Sequence, residues 1–204
     1  MLTESNRRGF FIVLEGIDGS GKTTIANMMI DKLRSTGFNV VYTYEPTDHE
    51  IVTLMRTKYN DYRDSFIDAL TFALDRLLHL RTKIIPHLMK GFVVISDRYM
   101  YSSVAYQSAA GAPAEWVLEV NKWALKPDLA IYLDIEPEIA VMRRKGLHSR
   151  FPEFEELEFL RRVRSEYLKM VERGLLMYID ASRPLDSVYN DVEKIVLKTI
   201  LKNH

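Results

Sequence analysis

The chain has 204 residues, 47% apolar and 27% charged, the composition of a globular chain long enough to bury a sizeable core. Lys plus Arg and Asp plus Glu each total 28, so no overall field draws the protein to nucleic acid or to a membrane surface. The absence of cysteine excludes disulfides, thiolate metal sites and a cysteine nucleophile. No apolar run approaches the roughly 20 residues of a membrane span. The segment Met1–Arg8 lacks the apolar stretch of a secretory signal, so a cytoplasmic location is expected.

Phe10-Phe11-Ile12-Val13-Leu14-Glu15 reads as a first strand, and it feeds Gly16-Ile17-Asp18-Gly19-Ser20-Gly21-Lys22-Thr23. Two glycines bracket four residues, and the second is followed by Lys-Thr, which is the P-loop pattern in its required strand-to-helix context. Glycines let backbone N–H groups turn toward phosphate oxygens, and the helix start adds unpaired donors and a positive dipole end. Lys22 can then reach the β- and γ-phosphates, and the Thr23 hydroxyl can ligate an accompanying magnesium ion. Gly16, Asp18, Gly19, Ser20, Gly21, Lys22, Thr23 and Thr24 are the candidate nucleotide-binding residues of this loop.

A helix is expected from about Thr24 to Ser35, ended by Gly37, and a second strand over Asn39–Tyr44. After the Glu45-Pro46-Thr47-Asp48 loop, helical spacing covers about Ile51–Lys58 and then Ser65–Met89, with a bend at Pro86. The continuous apolar run Phe92–Ser96 marks a strand buried on both faces. A helix within Pro113–Leu125, a strand Leu129–Leu133 and a helix starting at Pro137 follow. Beyond the charged stretch Arg143–Glu158 come a helix near Leu160–Arg173, a strand Leu175–Ile179 and a closing helix near Leu185–Leu201. Alternating strands and helices imply right-handed βαβ units in a five-stranded parallel sheet covered on both faces, an α/β fold of three layers. Ligands in such folds sit at the carboxyl ends of the strands. The polar clusters fall there: the P-loop, Glu45-Pro46-Thr47, Asp97-Arg98-Tyr99, Asp134 and Asp180-Ala181-Ser182.

Asp97, after a buried strand, is a candidate magnesium partner with Thr23, and Arg98 offers a planar fork for phosphate oxygens. Phe72, Asp75, Arg76 and His79 share one helix face, where a ring beside a guanidinium can stack and read a planar base. Taken alone, that face reads instead as a core Phe72 with a solvated Asp75 and Arg76, and His79 as packing or surface. Tyr101, Ser102, Ser103, Tyr106 and Gln107 carry hydroxyls and an amide that suit a polar small-molecule pocket or a capped turn. Arg143–Arg150, with Arg143, Arg144 and Arg150, is the main basic cluster, followed by the acidic Glu153–Glu156; a mobile lid over about 143–158 or a solvated surface turn fits it. P-loop positions 17–20 contain no arginine, so further positive charge must come from elsewhere.

The four segments 15–24, 72–76, 97–107 and 126–134, in this order, give a chain that resembles the thymidylate kinases among the nucleoside-monophosphate kinases. The resemblance spans Phe11 to about Val196 and implies one P-loop kinase domain over 1–204, with substrate-binding helices at about 45–115 and the lid. It implies ATP- and Mg2+-dependent, reversible phosphorylation of dTMP to dTDP in dTTP biosynthesis by a homodimer. It also implies roles: Phe72 stacks on thymine, Arg76 reads its carbonyl edge, and Arg98 holds the acceptor phosphate. Asp18 contacts the sugar 3′-hydroxyl, and Tyr106 sits against the 2′ carbon. Glu45, Ser102, Ser103 and Gln107 belong to the acceptor pocket, and Arg143 lies near the adenine with the Ala181 region opposite. Lys22, Arg98, Arg150 and Asp18 are the catalytic set, with Arg150 the lid cation. Tyr44 stands where an arginine is frequent in the family, Thr47-Asp48 replaces a frequent Gly-Gly, and Ser103 replaces a frequent asparagine. The rival readings are a deoxynucleoside or cytidylate kinase, a slowly hydrolysing nucleotide switch, and, less well matched by the balanced charge, a nucleic-acid-binding module.

Overall fold

The computed structural model describes residues 9–143 and 157–202. Strand β1 (Phe10–Glu15) is buried along its whole length because parallel strands flank it on both edges. These are β3 (Val93–Asp97) and β4 (Leu129–Asp134); β2 (Val40–Tyr44) lies outside β3 and β5 (Met177–Asp180) outside β4. All four pairings are parallel, giving the order β2-β3-β1-β4-β5.

The two-residue period of the strands divides the apolar residues between two cores. Phe10, Ile12 and Leu14 face α1 (Lys22–Ser35) and α9 (Leu185–Lys202), through Ile25, Met29, Leu33, Val192 and Val196. Phe11 and Val13 face the opposite layer, which is made by α3 (Ser65–His79), α5 (Met100–Ala109), α6 (Ala114–Val120) and α8 (Leu157–Glu172). The other described α-helices are α2 (Glu50–Thr57), α4 (Ile85–Met89) and α7 (Pro137–Arg143), with a short 3-10 helix at Asn60–Tyr62.

Register aligns the strand ends. Tyr44 and Leu14 both lie beside Asp97, Glu15 beside Tyr132, and Asp134 beside Asp180, so the loops after the strands share one rim.

Two expectations need adjustment. The span Ser65–Met89 is not one α-helix: a π-helical turn at Leu80–Ile84 separates α3 from α4. That wider turn comes just before Pro86, whose ring lacks an N–H and crowds the carbonyl four residues back. Residues 100–107, marked in the sequence only by hydroxyls and an amide, belong to α5. Its buried face mixes Tyr101, Val104 and Ala105 with Ser103 and Gln107, which hides the apolar periodicity.

Candidate functional site

The P-loop geometry follows from its glycines. Gly16, Gly19 and Gly21 have φ values of 145°, 94° and 92°, a region that side chains other than hydrogen disfavour. Space enforces the same choice: a Cβ on Gly19 would lie 2.4 Å from the Ala140 carbonyl oxygen, and one on Gly16 would lie 2.7 Å from that of Leu133. Gly21 is the N-cap of α1, so the loop runs directly into the helix start. Lys22 curls back, donating from Nζ to the Ile17 carbonyl at 3.0 Å with the Asp18 carboxylate 3.8 Å away. Burial, with Arg98 nearby, lowers the proton affinity of its ammonium.

Thr23 and Asp97 meet as the sequence anticipates. Thr23 Oγ1 donates to Asp97 Oδ2 at 2.6 Å, and Tyr42 donates to the same oxygen at 3.2 Å. The hydroxyl and carboxylate form an all-oxygen pair suited to a hard cation that keeps water and phosphate oxygens as its remaining ligands. Among the described residues, no cluster of three or more His, Asp or Glu forms a metal cage.

Arg98 is the one described non-glycine residue with positive φ, at 72°. A left-handed arginine costs on the order of 1 kcal/mol or more, and such strain is held only where the surroundings over-determine it. Here the Arg98 N–H donates to the Leu14 carbonyl at 2.8 Å, and Ser96 Oγ donates to the Arg98 carbonyl at 2.8 Å. The turn aims the guanidinium back across the P-loop. Its Nη2 reaches Asp18 Oδ1 at 2.5 Å and the Tyr106 hydroxyl at 3.2 Å, while Nη1 reaches Ser102 Oγ at 3.0 Å. Burial pushes the Tyr106 phenol up to about 12, so it stays a neutral partner.

Beneath that turn, Glu15 is fully buried and accepts four hydrogen bonds. Its Oε1 takes the backbone N–H groups of Tyr99 and Ser102, at 2.9 and 3.1 Å. Its Oε2 takes the Ser102 hydroxyl and the Tyr167 hydroxyl of α8, at 2.5 and 2.9 Å.

A second buried polar group joins the loop after β2 to α3. Arg76, 2% exposed, donates from Nε to Glu45 Oε2 at 2.8 Å, from Nη2 to Ser103 Oγ at 3.1 Å, and from Nη1 to Asn121 Oδ1. Its guanidinium also lies over the Tyr99 ring, 5.2 Å from the centroid. His79 bridges Glu45 and Thr43, with Nδ1 3.0 Å from Glu45 Oε1 and Nε2 2.6 Å from Thr43 Oγ1. Asp75 accepts both the N–H and the hydroxyl of Thr47, at 2.8 and 2.5 Å. The alternative of a solvated Asp75–Arg76 face is therefore wrong: both are buried, because their partners arrive from β2 and from α5 and α6. Phe72 is half-buried on the same helix, and Gln107 Oε1 is buried without a hydrogen-bond partner among the described residues.

A cleft of about 950 Å³ gathers Asp18, Gly19, Ser20, Gly21, Lys22, Thr23, Thr24, Glu45, Asp97, Arg98, Arg143 and Ala181 along one wall-to-wall surface. Gly16 shapes the loop from below. Arg76 is bonded to Glu45, and Ser102 and Tyr106 to Arg98; Ser103 joins through Arg76, and Gln107 is buried on the same helix α5. Arg143 and Ala181 touch: the guanidinium donates to the Ala181 and Ser182 carbonyls at 3.0 and 3.3 Å. Arg144, Arg150 and most of the expected lid fall outside the described residues.

Residues the sequence reading passed over are Glu15, Asn121, Tyr167 and Arg164, the last paired with Asp134 through two bonds of 2.8 and 2.9 Å. Glu15 stood inside the recognised motif. Asn121, Tyr167 and Arg164 carry no local signal, since each becomes relevant only through a partner far along the chain.

The sequence model of the thymidylate kinase family matches residues 14–192. A probable thymidylate kinase of Staphylothermus marinus is 60% identical over 197 residues, covering 97% of this chain and 99% of its own length. Probable thymidylate kinases of Pyrococcus abyssi and Pyrobaculum calidifontis are each 42% identical, covering 95% and 91% of this chain and 98% and 95% of their own.

Proposed function

The chain belongs to the thymidylate kinase family, and from that premise we propose that its cleft transfers the terminal phosphoryl group of ATP to dTMP, giving dTDP and ADP. The observation that carries the reading is the opposition of two anion-binding walls across one cleft: Lys22 and Thr23 in the P-loop, and Arg98 at the end of β3. A donor nucleotide alone needs only the first wall. A strained arginine aimed at that loop suits an acceptor that itself carries phosphate.

The attacking oxygen belongs to a phosphate and is already nucleophilic, so the protein needs no strong general base. Its work is alignment and charge stabilisation. Gly16 to Thr24 cradle the ATP phosphates, and Lys22 leaves the Ile17 carbonyl for the β- and γ-oxygens. Thr23 and Asp97 would hold magnesium, which would supply neutralisation of phosphate charge. Arg98 exchanges Asp18 for the acceptor phosphate, and the freed Asp18 carboxylate takes the sugar 3′-hydroxyl.

Phe72 stacks on the thymine. The two terminal N–H groups that Arg76 retains, and the Gln107 amide, address polar edges of the base with Ser103. Tyr106, hydrogen-bonded to Arg98, crowds the 2′ carbon. Arg143 and the Ala181 strand end flank the adenine, and Arg150 from the segment between α7 and α8 supplies the remaining positive charge.

A second copy of the chain covers the exposed apolar row Phe66, Leu70 and Leu74 of α3, which recurs every four residues on one helix side. No helix among the described residues is long and apolar enough to cross a membrane, and the enzyme works in the cytoplasm without nucleic acid.

The test is a coupled ADP-release assay with dTMP, dUMP, CMP, AMP and thymidine as acceptors, with and without Mg2+. The expected result is Mg2+-dependent turnover fastest with dTMP and absent with thymidine. ADP release no faster with dTMP than with water sinks the assignment.

A further inference from the structure

We propose that Glu15 is a positioning residue for acceptor binding: through Ser102 and the turn at Tyr99 it holds Arg98 in its phosphate-receiving orientation, and Tyr167 of α8 completes that hold. The inference rests on the acceptor site described above.

Glu15 touches neither wall of the cleft, yet it controls three features of Arg98. It fixes the backbone on the far side of the left-handed residue by accepting the Tyr99 N–H at 2.9 Å, while the Arg98 N–H is tied to Leu14, the residue just before Glu15. It fixes the start of α5 by accepting the Ser102 N–H at 3.1 Å. It also orients the Ser102 hydroxyl: that group donates to Glu15 Oε2 at 2.5 Å, so its lone pairs face Arg98 Nη1 at 3.0 Å. The Tyr167 hydroxyl lies 2.9 Å from Glu15 Oε2 and 2.8 Å from Ser102 Oγ. Tyr167 is held in turn by stacking on Tyr132 of β4, with ring centroids 4.6 Å apart and planes 16° from parallel. Arg98 therefore reaches β1, β4 and α8 through hydrogen bonds and one stacked ring pair.

The charge on Glu15 argues for function over stability. A fully desolvated carboxylate is expensive even when well bonded, and a neutral amide of the same shape could accept the two backbone N–H groups. Burial raises its pKa, against the opposing pull of the Ser102 hydrogen bond and of Arg98. Arg98 and Lys22 are the cations that face it. A carboxyl with a raised folded pKa binds protons more readily in the folded state, so its ionised form at neutral pH costs stability.

The experiment compares wild type, Glu15→Gln, Tyr167→Phe, Arg98→Ala and Glu15→Gln/Arg98→Ala in steady-state kinetics with dTMP and ATP, with thermal midpoints at pH 7.5. Glutamine can keep the Tyr99 and Ser102 N–H bonds while both hydroxyls rotate to accept from its amide. The expected result for Glu15→Gln is a KM for dTMP raised about tenfold, the scale of one charge-assisted hydrogen bond, with the KM for ATP within about twofold. Its thermal midpoint should equal or exceed that of wild type. Tyr167→Phe should shift the KM for dTMP in the same direction by a smaller factor.

In the Arg98→Ala background, Glu15→Gln should add less than about twofold, because its effect passes through Arg98. A lowered midpoint with equal losses for both substrates overturns the proposal in favour of a structural role. Full additivity with Arg98→Ala overturns it as well. If wild type itself shows no dTMP-dependent turnover, the acceptor assignment fails first, and that outcome differs from a failure of Glu15 alone.

Discussion

In the P-loop, three glycines at φ values from 92° to 145° turn backbone N–H groups into a concavity, and the anion site is made within eight consecutive residues. Behind the facing wall, Glu45, Arg76, His79, Ser103 and Asn121 come from four stretches up to 76 positions apart (Glu45 to Asn121), and their buried side chains are charged and polar groups. The first region makes its binding groups from peptide units that any sequence possesses, and needs only permission to turn. The second makes them from charges whose desolvation must be offset by partners in defined places. A backbone cradle tolerates local change wherever Cβ atoms fit, whereas the ionic wall fails when one member is removed.

The sharpest way to break this contrast is Glu45→Ala. It strands the Arg76 guanidinium and His79 without their shared acceptor, and the expected loss is about 3–5 kcal/mol of folding stability, read by denaturant unfolding. A loss below about 1 kcal/mol would show that the wall is not an interdependent unit.

Next in size is Arg150→Ala, which asks whether the cation that P-loop positions 17–20 lack comes from the segment between α7 and α8. The expected outcome is a kcat reduced by about 3 kcal/mol, near a hundredfold, with dTMP affinity retained in equilibrium binding. Near-normal kcat rejects Arg150 as that cation.

Asn121→Ala removes one of three hydrogen bonds to Arg76 and leaves the ion pair with Glu45. A loss of about 1–2 kcal/mol in dTMP binding is expected, with ATP binding unchanged. Equal weakening of both nucleotides would mean that Asn121 supports the fold at large.

The smallest effect belongs to Arg161→Ala, which deletes exposed ion pairs to Glu138 on α7 and to Glu158 within α8. At most about 1 kcal/mol of stability should be lost, and less in high salt. A larger, salt-insensitive loss would show that these exposed pairs act like the buried wall.

The chain order itself determined the parallel sheet, because apolar runs alternating with helical spacing admit few arrangements once crossovers are right-handed. It determined the P-loop, the Thr23–Asp97 pair and the rim of loops, since each is a local pattern placed at a strand end. The local pattern also singled out Arg98 as a phosphate fork, and the resemblance carried by residues 72–76 and 97–107 tied Arg76 and Arg98 to an acceptor nucleotide. What the tertiary structure alone decided is which charges are buried together. Asp75 and Arg76 read as a surface pair in isolation, and only the arrival of Thr47, Glu45, Ser103 and Asn121 makes them interior. Glu15 is one carboxylate before a glycine in the sequence; its meaning comes from Tyr99, Ser102 and Tyr167, up to 152 positions away. The reason is physical. Periodicity and turn chemistry act over a few residues and leave a trace in neighbouring letters, while the cost of a buried charge depends on partners that only folding brings within 3 Å.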